Sequence, residues 1–316
     1  MSRLIAVTCA LTVASTACHH PQASAEDHTS HMAGTASGTV TGQGAVGLPA
    51  SNGAAAARLA ASPRRGEWIR VPFEAGSKDT ILAWIVYPAA ARGKAPVVVI
   101  VHDITGLSTW ARAVADQAAA EGFIAVSPDF TSRPRGAPNT AELSRDSAGK
   151  LMALVNAAER SRIIGTIASY AMALPSAERR YGVVGYCWGG GTVFMHAVNG
   201  GVSGFAGGVA FYGLPYMNGA APVGDSLAKI TVPVMLFSGA KDARITAAMP
   251  AVDSAMKSLG KTYTSTNYDG AVHGFMRSQD DPKPTRDLAE EAANLTATKD
   301  AWPRTVAFLR RQLSSQ

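Results

Sequence analysis

The stretch that most constrains the fold of this chain spans residues 181–191 and reads YGVVGYCWGGG. Its first half predicts a buried strand because Val183 and Val184 are β-branched, and residues 192–198 predict a helix. A Gly-x-Cys-x-Gly turn joins the two. Such a nucleophile elbow strains the backbone of its central residue, so the flanking positions must lack a Cβ atom. The stretch predicts either a thiolate at the elbow tip, stabilised by the helix N-terminus, or a small apolar Cys187 packed between strand and helix.

Strand patterns alternate with helical patterns along the rest of the chain. Residues 68–73 and 80–87 predict an antiparallel hairpin. Further strands are predicted at 96–101, 123–127, 205–212, 233–237 and 262–268, and helices at 110–121, 141–173, 247–259 and 302–313. This alternation predicts an α/β fold: a mostly parallel central sheet with helices on both faces and a leading antiparallel hairpin.

The N-terminal part of the chain differs in composition from the rest. An apolar run at residues 4–17 suits a signal peptide but is too short to span a bilayer, and Ala23-Ser24-Ala25 offers a cleavage site. Residues 26–65 are rich in Ala, Gly, Ser and Thr, which predicts a flexible tether. We therefore predict a signal peptide at 1–25, a tether at 26–65 and a catalytic domain at 66–316. The protein would be exported, to the periplasm or the extracellular space.

The three cysteines are Cys9, Cys18 and Cys187. Ser15-Thr16-Ala17-Cys18 is a loose match to a lipoprotein signal, which gives a lipid anchor at Cys18 as the alternative to cleavage after Ala25. Either cut leaves Cys187 without a disulfide partner in the catalytic domain, so a reactive thiol is predicted there.

Composition excludes several other classes of function. The net charge of +6 is spread along the chain without a basic stripe, so no nucleic-acid partner is predicted. The histidines of the tether lack fixed geometry for a metal site.

Nucleophilic chemistry at a thiol needs a base and a carboxylate that orients the base. His273 lies in a loop after the last predicted strand, and Asp242 follows the strand at 233–237. Because the carboxyl ends of parallel strands meet at one edge of a sheet, we expect these side chains to converge with Cys187. The chain order of nucleophile, acid and histidine is that of an α/β-hydrolase. The oxyanion donors would be the backbone N–H groups of Trp188 and Ile104.

These motifs together resemble the dienelactone hydrolases over about residues 66–316. The segments that carry the resemblance are GYCWGG at 185–190, HDITGL at 102–107, PDF at 128–130, GAKD at 239–242 and HGFMR at 273–277. The resemblance implies an α/β-hydrolase fold that hydrolyses small enol lactones or esters without a metal or cofactor. It makes Cys187 the nucleophile, His273 the base and Asp242 its orienting acid, and it assigns Arg277 to a substrate carboxylate.

Two positions depart from the family pattern. The loop after the 96–101 strand usually presents a glutamate that modulates the thiol, and here Asp103 is one methylene shorter. A second substrate-binding arginine is also expected; Arg133, Arg135 and Arg145 are candidates that spacing does not separate, and Arg145 is our working assignment.

The predicted function is therefore hydrolysis of a small lactone or carboxylic ester through a Cys-His-Asp triad and a thioester intermediate. Two alternatives stay open: a broad-specificity carboxylesterase on the same fold, and an exported protein whose thiol responds to oxidation without catalysis.

Overall fold

The structure is a computed structural model that describes residues 44–89, 93–136, 140–279 and 287–314. All of these residues belong to one compact unit, residues 36–316, and the other unit, residues 1–35, lies outside the described part of the chain.

Apolar, β-branched runs form the strands of the described chain, which are β1 (Gly66–Pro72), β2 (Thr80–Val86), β3 (Ala95–Val101), β4 (Ile124–Pro128), β5 (Ala177–Tyr186), β6 (Phe205–Phe211), β7 (Met217–Asn218), β8 (Ala221–Pro222), β9 (Val234–Gly239) and β10 (Tyr263–Tyr268). The helices are α1 (Ala55–Ala60), α2 (Thr109–Ala120), α3 (Arg145–Ala153), α4 (Ala157–Met172), α5 (Trp188–Val198), α6 (Gly224–Leu227), α7 (Ala243–Ser258), α8 (Phe275–Ser278) and α9 (Leu288–Leu313).

An eight-stranded sheet organises these elements in the order β1-β2-β4-β3-β5-β6-β9-β10. Strand β2 pairs antiparallel with β1 and with β4, and every other pairing in this sheet is parallel. The central strand β3 is almost entirely buried, as expected of a parallel strand covered on both faces. The predicted α/β architecture with its leading hairpin is confirmed.

The sheet places the functional loops on one side. Strands β3, β5, β6, β9 and β10 run parallel, so their carboxyl ends lie at one edge of the sheet. In open α/β sheets ligands bind at that edge. The loops that carry Asp103, Cys187, Asp242 and His273 all follow one of these strands.

The structure corrects the predicted start of the folded domain. Residues 44–65 were predicted as part of the flexible tether, yet Ala50, Ala54 and Ala55 are buried in the core and residues 55–60 form α1. The Nε1 atom of Trp110 donates a 3.0 Å hydrogen bond to the carbonyl of Ala50. Small side chains allow this segment to pack closely against α2, so a composition poor in bulky residues did not prevent burial. The rest of the tether and the signal peptide, residues 1–43, lie outside the described residues and stay predictions.

Helix α9 also differs from its prediction. It begins at Leu288, well before the predicted start at Trp302, because Asp287 caps it by accepting from the N–H groups of Ala289 and Glu290. Pro303 lies inside the helix, although a proline in a helix interior usually interrupts the helix. Among the described helices, none combines the length and the apolar character needed to cross a bilayer.

Candidate active site

Cys187 occupies the tip of a strained turn between β5 and α5. Its backbone has φ 56° and ψ −113°, a conformation that L-residues rarely adopt. A Cβ atom on Gly185 would lie 2.1 Å from the carbonyl oxygen of Gly189, and a Cβ on Gly189 would lie 2.4 Å from the carbonyl oxygen of Val101. The elbow therefore requires glycine on both sides of Cys187, as the sequence predicted. The cysteine is half-buried and in no disulfide.

The predicted acid and base are hydrogen-bonded to each other. Asp242 follows β9 as the N-cap of α7, and His273 lies in the turn between β10 and α8. Their side chains meet across 2.5 Å, from Nδ1 of His273 to Oδ2 of Asp242. The other carboxylate oxygen accepts from the N–H of Ile245 at 3.2 Å. Asp242 therefore caps a helix and orients the imidazole at the same time.

The charges at this site raise the proton affinity of the imidazole. Burial alone would lower the pKa of His273, but the negative charge of a Cys187 thiolate, together with the bond to Asp242, raises it to about 10. Burial opposes ionisation of Asp242 as well, yet the hydrogen bond and charge of His273 hold the pKa of that carboxyl below its usual value. A thiolate at Cys187 and the carboxylate of Asp242 would thus both favour the protonated form of His273.

Asp103 and Arg277 form an ion pair at the edge of the sheet that also carries Cys187. The Nη1 atom of Arg277 lies 2.6 Å from Oδ2 of Asp103, and Thr105 donates to Oδ1 from its backbone N–H at 2.8 Å and from its hydroxyl at 2.5 Å. Burial would raise the pKa of Asp103, but the Arg277 guanidinium and the Thr105 bonds lower it. The structure therefore brings the two predicted residues together and holds Asp103 as a carboxylate.

The two predicted oxyanion donors lie in segments that are close in space. Trp188 is the first residue of α5, where a backbone N–H has no partner within the helix. Ile104 lies in the turn directly after β3 and is partly exposed. The Trp188 ring lies parallel to His102, with ring centroids 6.2 Å apart, so the two segments are neighbours.

The three arginine candidates for a second substrate contact have different partners. Arg133 forms ion pairs with Asp79 and Glu159, which neutralise its charge. Arg135 donates to the carbonyl of Ala141. Arg145 is the first residue of α3 and is half-buried. Its binding role stays a prediction.

The other two histidines of the described residues are buried in the core. The Nε2 atom of His102 accepts from the N–H of Phe130 at 3.1 Å, and its Nδ1 donates to the carbonyl of Asp103 at 2.8 Å. His196 hydrogen-bonds to Ser161 and Tyr181 within the core. Both rings are fully buried.

Tyr212 is a residue that the sequence analysis missed. It follows β6 with φ 40°, a rare backbone conformation for a bulky residue, and its ring centroid lies 5.0 Å from that of His273. Burial raises the pKa of its phenol, and the charges of Asp103 and Cys187 add to the effect. No local sequence pattern marks Tyr212 as part of the site, because tyrosine is common at the end of a strand.

Within the described residues, no group of three or more His, Cys, Asp or Glu side chains is placed to hold a metal ion.

Comparison with known proteins identifies the family of this chain. The model of the dienelactone hydrolase family matches residues 81–313. The chain is 26% identical over 243 residues to the "Putative carboxymethylenebutenolidase" of Synechocystis, covering 74% of this chain and 92% of that protein. It is also 26% identical to the "Probable 2-oxo-3-(5-oxofuran-2-ylidene)propanoate lactonase" of Bradyrhizobium, over 78% of this chain and 94% of the relative.

A solved structure shares the fold. It is described as a "Putative Dienelactone Hydrolase" from Klebsiella pneumoniae and superposes with a TM-score of 0.64 at 23% identity, covering 78% of this chain and 99% of that one. The family match spans well over half of the chain, so this protein belongs to the dienelactone hydrolase family and is a hydrolase of the carboxymethylenebutenolidase type.

Proposed function

We propose that this protein hydrolyses a small lactone or carboxylic ester through a Cys187-His273-Asp242 triad and a thioester intermediate. The observation that carries the proposal is the position of His273, which is bonded to Asp242 and has its pKa raised by the charge of Cys187. A nucleophile, a base and an orienting acid in that relation form the constellation of covalent acyl transfer. The relatives named as a carboxymethylenebutenolidase and a lactonase support the substrate class.

The first half-reaction begins from the thiolate–imidazolium pair. The thiolate of Cys187 attacks the carbonyl carbon and forms the C–S bond, while the carbonyl electron pair moves to oxygen. The N–H groups of Trp188 and Ile104 would hold that oxyanion. When the intermediate collapses, the C–O bond breaks and His273 gives its proton to the departing oxygen. An enolate or phenolate leaves readily, so a thiolate nucleophile is sufficient.

The second half-reaction restores the enzyme. His273, now neutral, takes a proton from water, and the resulting hydroxide attacks the thioester carbonyl. The C–S bond then breaks, the acid product leaves, and the thiolate–imidazolium pair is restored. Asp242 keeps the ring in the tautomer that presents Nε2 to sulfur and water throughout.

The Asp103–Arg277 pair would tune the same reaction. Both groups are buried or nearly so, and the carboxylate of Asp103 satisfies the guanidinium in the absence of substrate. A substrate carboxylate would compete for Arg277 in the bidentate geometry that guanidinium favours. Asp103 would then be released to act on the neighbouring thiol.

The direct test is to trap the acyl-enzyme. The protein is mixed with a p-nitrophenyl ester, quenched in acid and digested, and the mass of the peptide that carries Cys187 is measured. We expect the acyl mass on Cys187 and release of p-nitrophenolate. Cys187→Ala should show neither, while its circular dichroism stays that of the parent. Turnover by Cys187→Ala, or an acyl mass on another residue, would remove Cys187 from the mechanism.

A further inference from the structure

A segment near the start of the described chain contacts the short helix that carries Arg277. We call this segment, residues 48–61, the strap; it contains α1 and packs against α2. Ala50, Ser51 and Ala54 of the strap are buried. The match to the family begins at residue 81, so the strap lies outside the part of the chain that defines the family.

Helix α8 depends on groups outside itself for its hydrogen bonds. It has four residues, and the last four carbonyls of any α-helix lack partners within the helix. The N–H of Asn52 donates to the carbonyl of Arg277 at 2.9 Å. The carbonyl of Met276 accepts from Nε2 of Gln279 at 3.0 Å. The strap therefore supplies one of the caps that so short a helix requires.

The side chain of Gln279 joins the strap to α8 a second time. Its Nε2 atom donates to the carbonyl of Pro49 at 2.8 Å as well as to that of Met276, so one amide holds both segments. Gln279 and Pro49 are both buried. Loss of the amide would leave buried carbonyls without a hydrogen bond, which is unfavourable.

The guanidinium of Arg277 faces an indole that the strap also holds. The Nε1 atom of Trp110 donates to the carbonyl of Ala50 at 3.0 Å, and the Cζ atom of Arg277 lies 5.4 Å from the ring centroid of Trp110. A cation at this distance from an indole is attracted to the ring. The strap therefore contacts Arg277 directly at its carbonyl and, through Trp110, influences its guanidinium.

We infer that the strap is a positioning segment of the active site, which holds α8 so that Arg277 meets a substrate carboxylate in a fixed geometry. The inference rests on the proposed function, since the substrate is a lactone or ester held at Cys187. The strap acts through α8 and Trp110, not on the reacting atoms. A guanidinium that is already ordered binds a carboxylate with less loss of conformational entropy than a mobile one.

The first test compares two p-nitrophenyl esters, the acetate and the succinate monoester, which has a free carboxylate. Gln279→Met keeps the length of the side chain but removes its N–H donors. We expect it to lower kcat/KM for the succinate monoester by roughly 5- to 20-fold, through KM, and to leave the acetate within about twofold. Trp110→Phe keeps an aromatic ring for Arg277 but removes the bond to Ala50, and it should change the ratio in the same direction.

Arg64→Gln is the matched control for these variants. Arg64 follows the strap in sequence and pairs with Asp116 on α2 at 2.6 Å. Its replacement should lower Tm but leave the ratio of the two kcat/KM values unchanged. Equal losses on both esters in Gln279→Met, with a Tm loss like that of Arg64→Gln, would overturn the inference, because that pattern describes a segment that only stabilises the fold.

Hydrogen exchange measured by mass spectrometry tests the same contact without a substrate. In Gln279→Met and in Trp110→Phe, the peptide that spans residues 273–279 should exchange faster than in the parent, and the peptide that spans α7 should not change. Arg64→Gln should leave both peptides as in the parent. Faster exchange would support the coupling of the strap to α8 even if neither ester were hydrolysed, in which case the proposed function alone would fail. Parent-like exchange at residues 273–279 would overturn the inference.

Discussion

Two histidines of this chain lie largely out of solvent, yet their pKa values are shifted in opposite directions. His196 is fully buried beside Ser161 and Tyr181, and burial lowers its pKa to about 4. His273 is nearly as buried, yet its pKa is raised to about 10. Burial acts on both rings in the same direction, so the difference comes from what surrounds them.

The difference lies in charge. His196 has two hydroxyl partners, which accept or donate a hydrogen bond without adding charge. His273 has Asp242 on one side and Cys187 on the other, and both favour the protonated ring. A neutral partner thus makes a histidine a structural group, whereas anionic partners keep a proton available for transfer.

Asp242→Asn should have the largest effect on the difference between the pKa values of His273 and His196. Asparagine still offers an oxygen to cap α7, but its amide neither carries charge nor holds the correct tautomer of His273. We expect kcat/KM to fall by about 10³- to 10⁴-fold. The pKa of His273 should fall, while that of His196 stays unchanged, as measured by NMR of the imidazole protons across a pH series.

The matched control for this change is Asp300→Asn, which alters an exposed carboxylate paired with Arg304 on α9. It should leave both imidazole titrations and kcat within about twofold of the parent. A parent-like rate in Asp242→Asn would show that His273 needs no orienting acid.

The sequence predicted those features of the site that depend on local pattern or on strand order. The elbow follows from glycines around Cys187, and the meeting of Asp242 with His273 follows from loops at the carboxyl ends of parallel strands. Both arguments need only the order of elements along the chain. The sheet was predictable for the same reason.

The features that escaped prediction depend on side chains far apart in sequence. Asp103 and Arg277 are 174 residues apart, and no periodicity links them. Residues 44–65 were assigned to a tether because alanine and glycine carry little apolar surface, although small residues pack well where a helix such as α2 lies close.

Acid should destabilise the protein through His196. The folded state holds this ring neutral with a pKa of about 4, whereas the unfolded chain binds a proton near pH 6.5. The neutral ring of His196 therefore stabilises the folded state fully above pH 6.5. This stabilisation is lost as the pH falls towards 4, and it amounts to about 3 kcal/mol at most. Urea unfolding of the parent and of His196→Phe at pH 7, 5.5 and 4 isolates this contribution. The parent should lose more stability over this range than the variant, and parallel losses would show that another group governs acid unfolding.

Ser161→Ala should give the smallest effect, because it removes only one of the two hydrogen bonds of His196 and adds no charge. We expect the free energy of unfolding to drop by about 1 kcal/mol and Tm by about 2 °C. The turnover number should not change, because His196 lies near the end of α5 opposite Cys187. A fall in turnover at unchanged Tm would mean that the buried network reaches the elbow through α5, and the division between a structural and a proton-transferring histidine would then be incomplete.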